Sequence, residues 1–198
     1  MMKKTLLAAA ALCALTSGAA MAQNYPQDGK WMVRARAVHL DSANKDSTPL
    51  DLSVNNKMIP ELDISYFFTP NFAAELILTY PQKHDVRAGG AEIGSLKHLP
   101  PTLLAQYHFT NLGAFKPYVG AGINYTRFSS VDILGGALNV KKNSFGPALQ
   151  VGFDYALDKN WSINFDVKKV YIDTNVSGGI GKCKVDPVLV GVGLGYRF

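Results

Sequence analysis

Along most of the chain, apolar and polar residues alternate with a period of two, and a helical period is hard to find. The clearest stretch is Asn143 to Ala156, where Phe145, Pro147, Leu149, Val151, Phe153 and Tyr155 alternate with Ser144, Gly146, Ala148, Gln150, Gly152 and Asp154. One face of this segment is wholly apolar and the other is small or polar, as in a strand between two different surroundings. Seven more segments follow the same rule: Lys30 to His39, Lys57 to Phe68, Phe72 to Tyr80, Leu99 to Phe109, Phe115 to Phe128, Trp161 to Ile172 and Val185 to Phe198. The pattern predicts eight strands, each about as long as the 9–11 residues of a tilted membrane-crossing strand or slightly longer.

The connections alternate in length. Short links fall at Thr69 to Asn71, Thr110 to Ala114 and Leu157 to Asn160; long ones fall at Leu40 to Asn56, Pro81 to His98, Ser129 to Lys142 and Asp173 to Lys184. With both termini on the short side, this predicts an all-β fold: an eight-stranded antiparallel up-and-down transmembrane barrel of the outer-membrane type, with short periplasmic turns and longer external loops. A Greek-key sandwich would not be expected to sort its loops this way.

Alternation alone does not say whether the apolar face meets a core or lipid. A soluble lipocalin alternates too, and Gly29-Lys30-Trp31 has the G-x-W form of a lipocalin's first strand. The aromatic positions separate the two. At the short-turn ends the apolar face carries Trp31, Phe68, Phe72, Phe109, Phe115, Tyr155, Trp161 and Phe198; near the opposite ends, on the same face, stand Tyr80, Tyr125, Phe145 and Tyr171. The ten residues from Phe145 to Tyr155 span roughly 25 Å at a strand's rise and tilt, the height of an outer-membrane lipid band. A soluble core has no reason to place rings at two such levels. In the last segment Val188, Val190, Val192, Leu194, Tyr196 and Phe198 share one phase, and the chain stops on Phe198. Bacterial outer-membrane barrels have a similar ending, which implies the barrel-insertion machinery as a partner that reads Phe198.

Composition agrees. The 198 residues are 47% hydrophobic and 18% charged, which excludes disorder. The longest apolar run is Leu6 to Leu15, well short of the roughly 18 residues of a membrane-spanning helix. That run follows Lys3 and Lys4 and precedes Ala20-Met21-Ala22, the layout of a cleaved secretory signal, so residues 1–22 read as a signal peptide and 23–198 as the barrel. Cleavage removes Cys13, leaving Cys183 and hence no internal disulfide, and it leaves 18 basic against 15 acidic side chains, a net charge of +3 rather than +5. The basic residues form no run of five or six, so no nucleic-acid partner is expected.

The opposite phase faces the lumen: Arg34 and Arg36 on the first strand, Glu61 and Asp63 on the second, and Glu75 and Ile77 on the third. Leu104, Gln106 and His108 follow on the fourth, Asn124 on the fifth, Gln150 and Asp154 on the sixth, Asn164, Asp166 and Lys168 on the seventh, and Arg197 on the eighth. Two arginines opposite Glu61, Asp63 and Glu75 have the composition of a paired network filling a narrow barrel, so a wide pore does not fit. Whether such a lumen conducts or is merely filled stays open. No catalytic constellation is found: the histidines are His39, His84, His98 and His108, and a His-Ser-acid set of the kind some small outer-membrane lipid A hydrolases use is missing. His84 and His98 share a long link with Asp85 and Glu92, where a rim metal site competes with a plainly solvated loop, and no metal or cofactor is expected. Gly191, Gly193 and Gly195 lack the spacing and following helix of a dinucleotide turn, and Gly181-Lys182 lacks the rest of a phosphate loop.

Several blocks resemble the outer membrane protein W (OmpW) family: His98-Leu99-Pro100-Pro101-Thr102, then Ala105-Gln106-Tyr107-His108-Phe109, and Lys116 through Thr126, which reads KPYVGAGINYT. Gln150 to Tyr155, Lys184 to Pro187 and Gly195 to Phe198 continue the likeness, while Leu40 to Asn56 is shorter than expected for that family. The resemblance implies a monomeric barrel in the outer membrane of a Gram-negative bacterium, in contact with the lipid bilayer. It implies a narrow, largely apolar channel that admits small hydrophobic molecules and releases them sideways, and the links Pro81 to His98 and Ser129 to Lys142 are expected to form its entrance. It places Glu75-Leu76-Ile77 where the family narrows its channel. On the seventh strand, where the family often carries a large aromatic, Lys168 stands instead and leaves room for a charged gate. Pro100 and Pro101 lack N–H donors and would interrupt strand pairing at the loop end of the fourth strand, a lateral gap on physical grounds alone. The competing expectation is a closed structural barrel whose external loops bind a partner. N-terminal sequencing of the protein from isolated outer membranes is expected to begin at Gln23.

Overall fold

The chain was analysed as a computed structural model that describes residues 29–42, 45–46, 52–133, 143–176, 181–184 and 186–198. Residues 1–28, which include the expected signal segment 1–22, residue 185 and parts of three long links lie outside the described residues. In chain order the strands are β1 (Trp31–Asp41), β2 (Lys45–Asp46), β3 (Leu52–Val54), β4 (Lys57–Phe67), β5 (Phe72–Leu78), β6 (Gln82–Ala88), β7 (Ala91–Leu99), β8 (Thr102–His108), β9 (Phe115–Ile133), β10 (Asn143–Ala156), β11 (Trp161–Val170), β12 (Asp173–Val176), β13 (Gly181–Lys184) and β14 (Val188–Arg197). Among the described residues there is no helix.

Eight strands form the wall, in the order β10-β11-β14-β1-β4-β5-β8-β9, and β9 pairs back onto β10 to close it. Closure brings the chain ends together: β1 and β14 run antiparallel from Met32 opposite Arg197 to Asp41 opposite Val188. At the seam Trp31 N–H donates to the Phe198 carbonyl at 3.0 Å, and Phe198 N–H donates back at 2.8 Å. Every wall pairing is antiparallel, so each strand keeps one phase inside and one outside.

The short turns are held by their own side chains. Asp158 accepts from the Trp161 and Asn160 amides at 2.7 and 2.8 Å, and these donations hold its carboxyl below the usual carboxylate range. Thr69 Oγ1 accepts from Phe72 N–H at 3.0 Å, and Asn160 Nδ2 reaches the Arg197 carbonyl at 2.7 Å, tying one turn to the terminal strand. The outward phase is apolar and unburied: Phe68 and Phe145, at opposite ends of the wall, are each 66% exposed. Trp31, Phe72, Phe109, Trp161 and Phe198 at the turn level, and Tyr80, Tyr125 and Tyr171 at the other, are likewise exposed. These are the two aromatic girdles of a membrane-spanning barrel.

Two expectations need correction. The long links are not plain loops: Pro81 to His98 folds into the β6–β7 hairpin, and β9 runs on to Ile133, where its outer part pairs with β7. Residues of the Leu40 to Asn56 link supply β2 and β3, and the Asp173 to Lys184 link folds as β12 and β13, which form a small sheet with β2. Beyond the membrane neither face of a hairpin meets lipid, so segments such as Gln82–Ala88 (QKHDVRA) lose the alternation that marks the wall. The fourth predicted strand also splits at Pro100-Pro101, so that Leu99 belongs to β7 and the wall strand starts at Thr102.

Inward glycines of β14 set how closely the seam packs. A methyl added at Gly193 would overlap the Ala35 carbonyl oxygen, whereas one at Gly191 would meet side-chain atoms of Val38 and Arg36 at 3.2 and 3.4 Å and the Ala37 carbonyl oxygen at an ordinary 3.9 Å. Gly193→Ala is therefore expected to lower stability by about 1–3 kcal/mol in urea unfolding from lipid vesicles, and Gly191→Ala, which crowds only the Arg36 stem and Val38, by less than Gly193→Ala.

Candidate functional site: a plugged lumen under an apolar cup

The inward phases of the eight strands fill the barrel in three layers. The middle layer is ionic. Arg34 of β1 grips Asp154 of β10 with two donors, Nε to Oδ1 at 3.1 Å and Nη2 to Oδ2 at 2.8 Å. Its Nη1 reaches Asp63 at 3.1 Å, Ser65 at 2.9 Å and Glu75 at 3.3 Å. Arg36, one inward position further along β1, meets Glu61 at 3.1 Å, Glu75 and Asp63 at 2.6 Å each, and Asp166 at 3.3 Å. Lys168 of β11 pairs with Glu61 at 2.6 Å and Asp166 at 2.8 Å, not with Glu75.

Neutral groups complete the layer. Tyr118 donates its hydroxyl to Asp166 at 2.8 Å and accepts from Asn164 Nδ2 at 3.0 Å. Gln150 Nε2 lies 2.8 Å from Glu75 Oε2 and 2.7 Å from Asp166 Oδ2, and Gln106 Nε2 donates to Gln150 Oε1 at 2.8 Å. Seven strands thus contribute polar side chains, and the eighth contributes room. The β carbon that Gly195 lacks would sit 3.3 Å from the Arg34 stem, and that of Gly191 3.4 Å from the stem of Arg36. The G-x-G-x-G run of β14 is the space into which two arginine side chains fold.

The interior is charge-balanced. Among the described residues, Arg34, Arg36, Lys116, Lys168 and Arg197 are its buried cations, and Glu61, Asp63, Glu75, Asp154 and Asp166 its buried carboxylates. Such burial is tolerable only when each charge is paired and hydrogen-bonded. Below the network, toward the short turns, lie Met32, Phe67, His108 and Arg197, the last with its guanidinium 3.6 Å from the centre of the Phe67 ring.

Above the network, toward the long links, the lumen turns apolar. Val38, Leu40, Ile59, Ile77, Leu104, Val170, Ile172 and Leu189 are buried together. They form a cup with Glu61 and Lys168 among its lining residues and a free space of about 20 Å³, room for one water molecule. Only this external half of the interior is largely apolar; lower down, the ionic layer occupies the bore.

One side of the cup meets an interrupted wall. The β5–β8 ladder ends at Ile77 opposite Thr102, and pairing resumes only at Gln82 opposite His98 in β6–β7. Between them, Thr79 and Pro100 line the cup. On the other flank the Pro101 carbonyl still accepts from Tyr125 N–H at 3.1 Å, so β8 remains attached to β9. The interruption therefore belongs to the β5 side. There the upper part of β4 is tied to the neighbouring chain by Thr79 Oγ1 donating to the Pro60 carbonyl at 3.2 Å and Lys57 Nζ donating to that of Lys83 at 3.2 Å.

Arg34, Arg36, Glu61, Asp63, Glu75, Gln106, Asp166 and Lys168 gather in the ionic layer, Ile77 and Leu104 in the cup, and Pro100 and Pro101 at the interruption. Sequence reasoning passed over Tyr118, Lys116 and Phe67, which lie on the inward phase of their strands; an aromatic opposite to the lipid phase, as Tyr118 is to Tyr125, was the available signal. His84 and His98 occupy diagonal register positions of β6–β7, and no cluster of three metal-ligating side chains exists among the described residues.

Comparison with known proteins places this geometry. The model of the OmpW family matches residues 27–198. The outer-membrane protein y4mB of Sinorhizobium fredii is 49% identical over 85% of this chain and 80% of its own. The dibenzothiophene metabolism operon protein PahQ of Pseudomonas aeruginosa is 28% identical over 81% and 80%. The crystal structure of the outer membrane protein OprG from Pseudomonas aeruginosa superposes with a TM-score of 0.75 at 29% identity, covering 89% of this chain and 98% of that one. Replacing Arg34 by Met would leave Asp63, Glu75 and Asp154 short of a partner. Urea unfolding in vesicles is expected to show a loss of about 3–5 kcal/mol, larger than for the exposed Lys159→Met.

Proposed function

The chain belongs to the OmpW family of the Gram-negative outer membrane, and from that premise we propose that it passes small, mainly hydrophobic molecules from the outside into the membrane rather than through it. The observation that carries this is the apolar cup, which has a charged floor and reaches the interrupted β5–β8 ladder. An apolar solute gains by leaving water for Leu40, Ile59, Ile77 and Leu189, about 25 cal/mol per Å² buried. It gains nothing by entering the paired charges below, so the favourable way on is sideways, where Thr79 and Pro100 border the cup and hydrocarbon lies beyond. Since the cup holds little free space, entry requires its aliphatic side chains to swing aside. A relative named for dibenzothiophene metabolism is consistent with a hydrophobic cargo.

On this reading Glu61 and Lys168 act as a lid on the ionic layer, not as a gate that the solute crosses, and the protein works as a monomer without cofactor or chemistry. The closed-lumen alternative, in which the external hairpins bind a partner, draws on the same ionic floor but leaves the cup without a purpose.

Uptake of a small aromatic hydrocarbon by a deletion strain is expected to rise on complementation with the wild-type gene. Ile59→Asp and Leu189→Asp, which place a charge in the cup, should lower that uptake several-fold. Uptake equal with and without the gene would overturn the proposal. In planar bilayers the purified protein should show little ionic conductance, because the ionic layer stays shut.

A further inference from the structure

We propose that the external rim of the barrel binds the phosphate groups of a glycolipid in the outer leaflet, through Lys83 of β6, Lys97 of β7 and Arg127 of β9. Lys83 and Lys97 stand directly opposite each other across the β6–β7 ladder, and Lys97 is opposite Ser129, two residues along β9 from Arg127. All three side chains are exposed and share the outward phase. Like charges directly across a ladder repel each other and destabilise it. None of the three makes an ion pair with any described residue. Among the described residues the nearest outward carboxylates, Asp85 and Asp132, flank Ser95 one register step further from the membrane and do not reach them. The row is a concentration of positive charge awaiting an external anion.

Its level identifies the anion. Arg127 lies two residues beyond Tyr125, and Lys83 three beyond Tyr80, both rings of the external girdle. Girdle aromatics sit at the boundary between hydrocarbon and headgroups, so the next polar layer outward holds lipid phosphates, in a medium where charge pairing is stronger than in bulk water. The arginine fork fits a phosphate with two donors, while the lysines add point charges. The row runs from the hairpin that continues the interrupted wall onto β9, so a bound phosphoglycolipid would brace β6–β7 against β9.

The test uses full-length mature protein folded in a maltoside detergent and titrated with bisphosphorylated lipid A or its dephosphorylated form, with bound lipid counted by native mass spectrometry. Each cation near such a surface is worth about five-fold in affinity, so wild-type protein should prefer the bisphosphorylated form by about ten-fold or more. K83Q/K97Q/R127Q should lose that preference, and K30Q/K159Q, which removes exposed charge at the periplasmic end, should keep it. Equal affinity of wild-type protein for the two lipids would overturn the proposal without reference to any variant, as would an unchanged preference in the triple variant. Folding of each variant is checked by its heat-modifiable mobility; if the triple variant does not fold, R127Q alone should still reduce the preference, and its failure to do so counts against the proposal.

Discussion

Hydrocarbon offers no hydrogen-bond partner to a peptide group, so a sheet that crosses a membrane has to close on itself. Here closure runs through β1 and β14, the first and last strands of the wall, and the reciprocal bonds of Trp31 and Phe198 complete the ring. Most other features follow from it. A closed ring of eight strands is barely wider than its inward side chains. The inward phase of every strand then becomes one shared interior, in which residues far apart in sequence, such as Arg34 and Asp154, must satisfy one another.

That crowding explains why the interior is ionic in the middle and apolar outside it. Long arginine stems need room, and β14 supplies it with glycines at the inward positions. The carboxylates arrive from β4, β5, β10 and β11 at matching heights, and the buried charges balance among the described residues. A network of this kind adds little net stability relative to an apolar filling, but losing any one partner is costly. An ion crossing it would have to break several buried pairs at once. The plug and the interrupted wall stand next to one another: paired charges fill the bore, and the β5–β8 ladder ends beside the cup.

Much of this was legible in the sequence because a membrane wall obeys a simple rule. Each spanning residue faces either lipid or lumen, the period is two, and aromatic rings mark both ends, so the assignment of Phe145 and Tyr155 to the outside and of Gln150 and Asp154 to the inside follows from counting. The rule lapses where lipid ends, which is why Gln82–Ala88 and Ala91–Leu99 read as loop although they form a hairpin. Tyr118 obeys the rule and was simply passed over: its phase, opposite to that of Tyr125, turns its hydroxyl inward to Asp166.

The sequence by itself determined the wall: eight amphipathic segments, the turns between them, the face each residue presents, and the proline pair that interrupts a strand, because these depend on local periodicity and on the covalent limits of single residues. Only the tertiary structure decided who meets whom inside. That Lys168 goes to Glu61 and Asp166 rather than to Glu75, that the proline interruption opens toward β5 while β9 stays attached, and that apolar side chains gather above the charges all depend on strand register around the ring. Register is a relation between segments, and no single segment carries it.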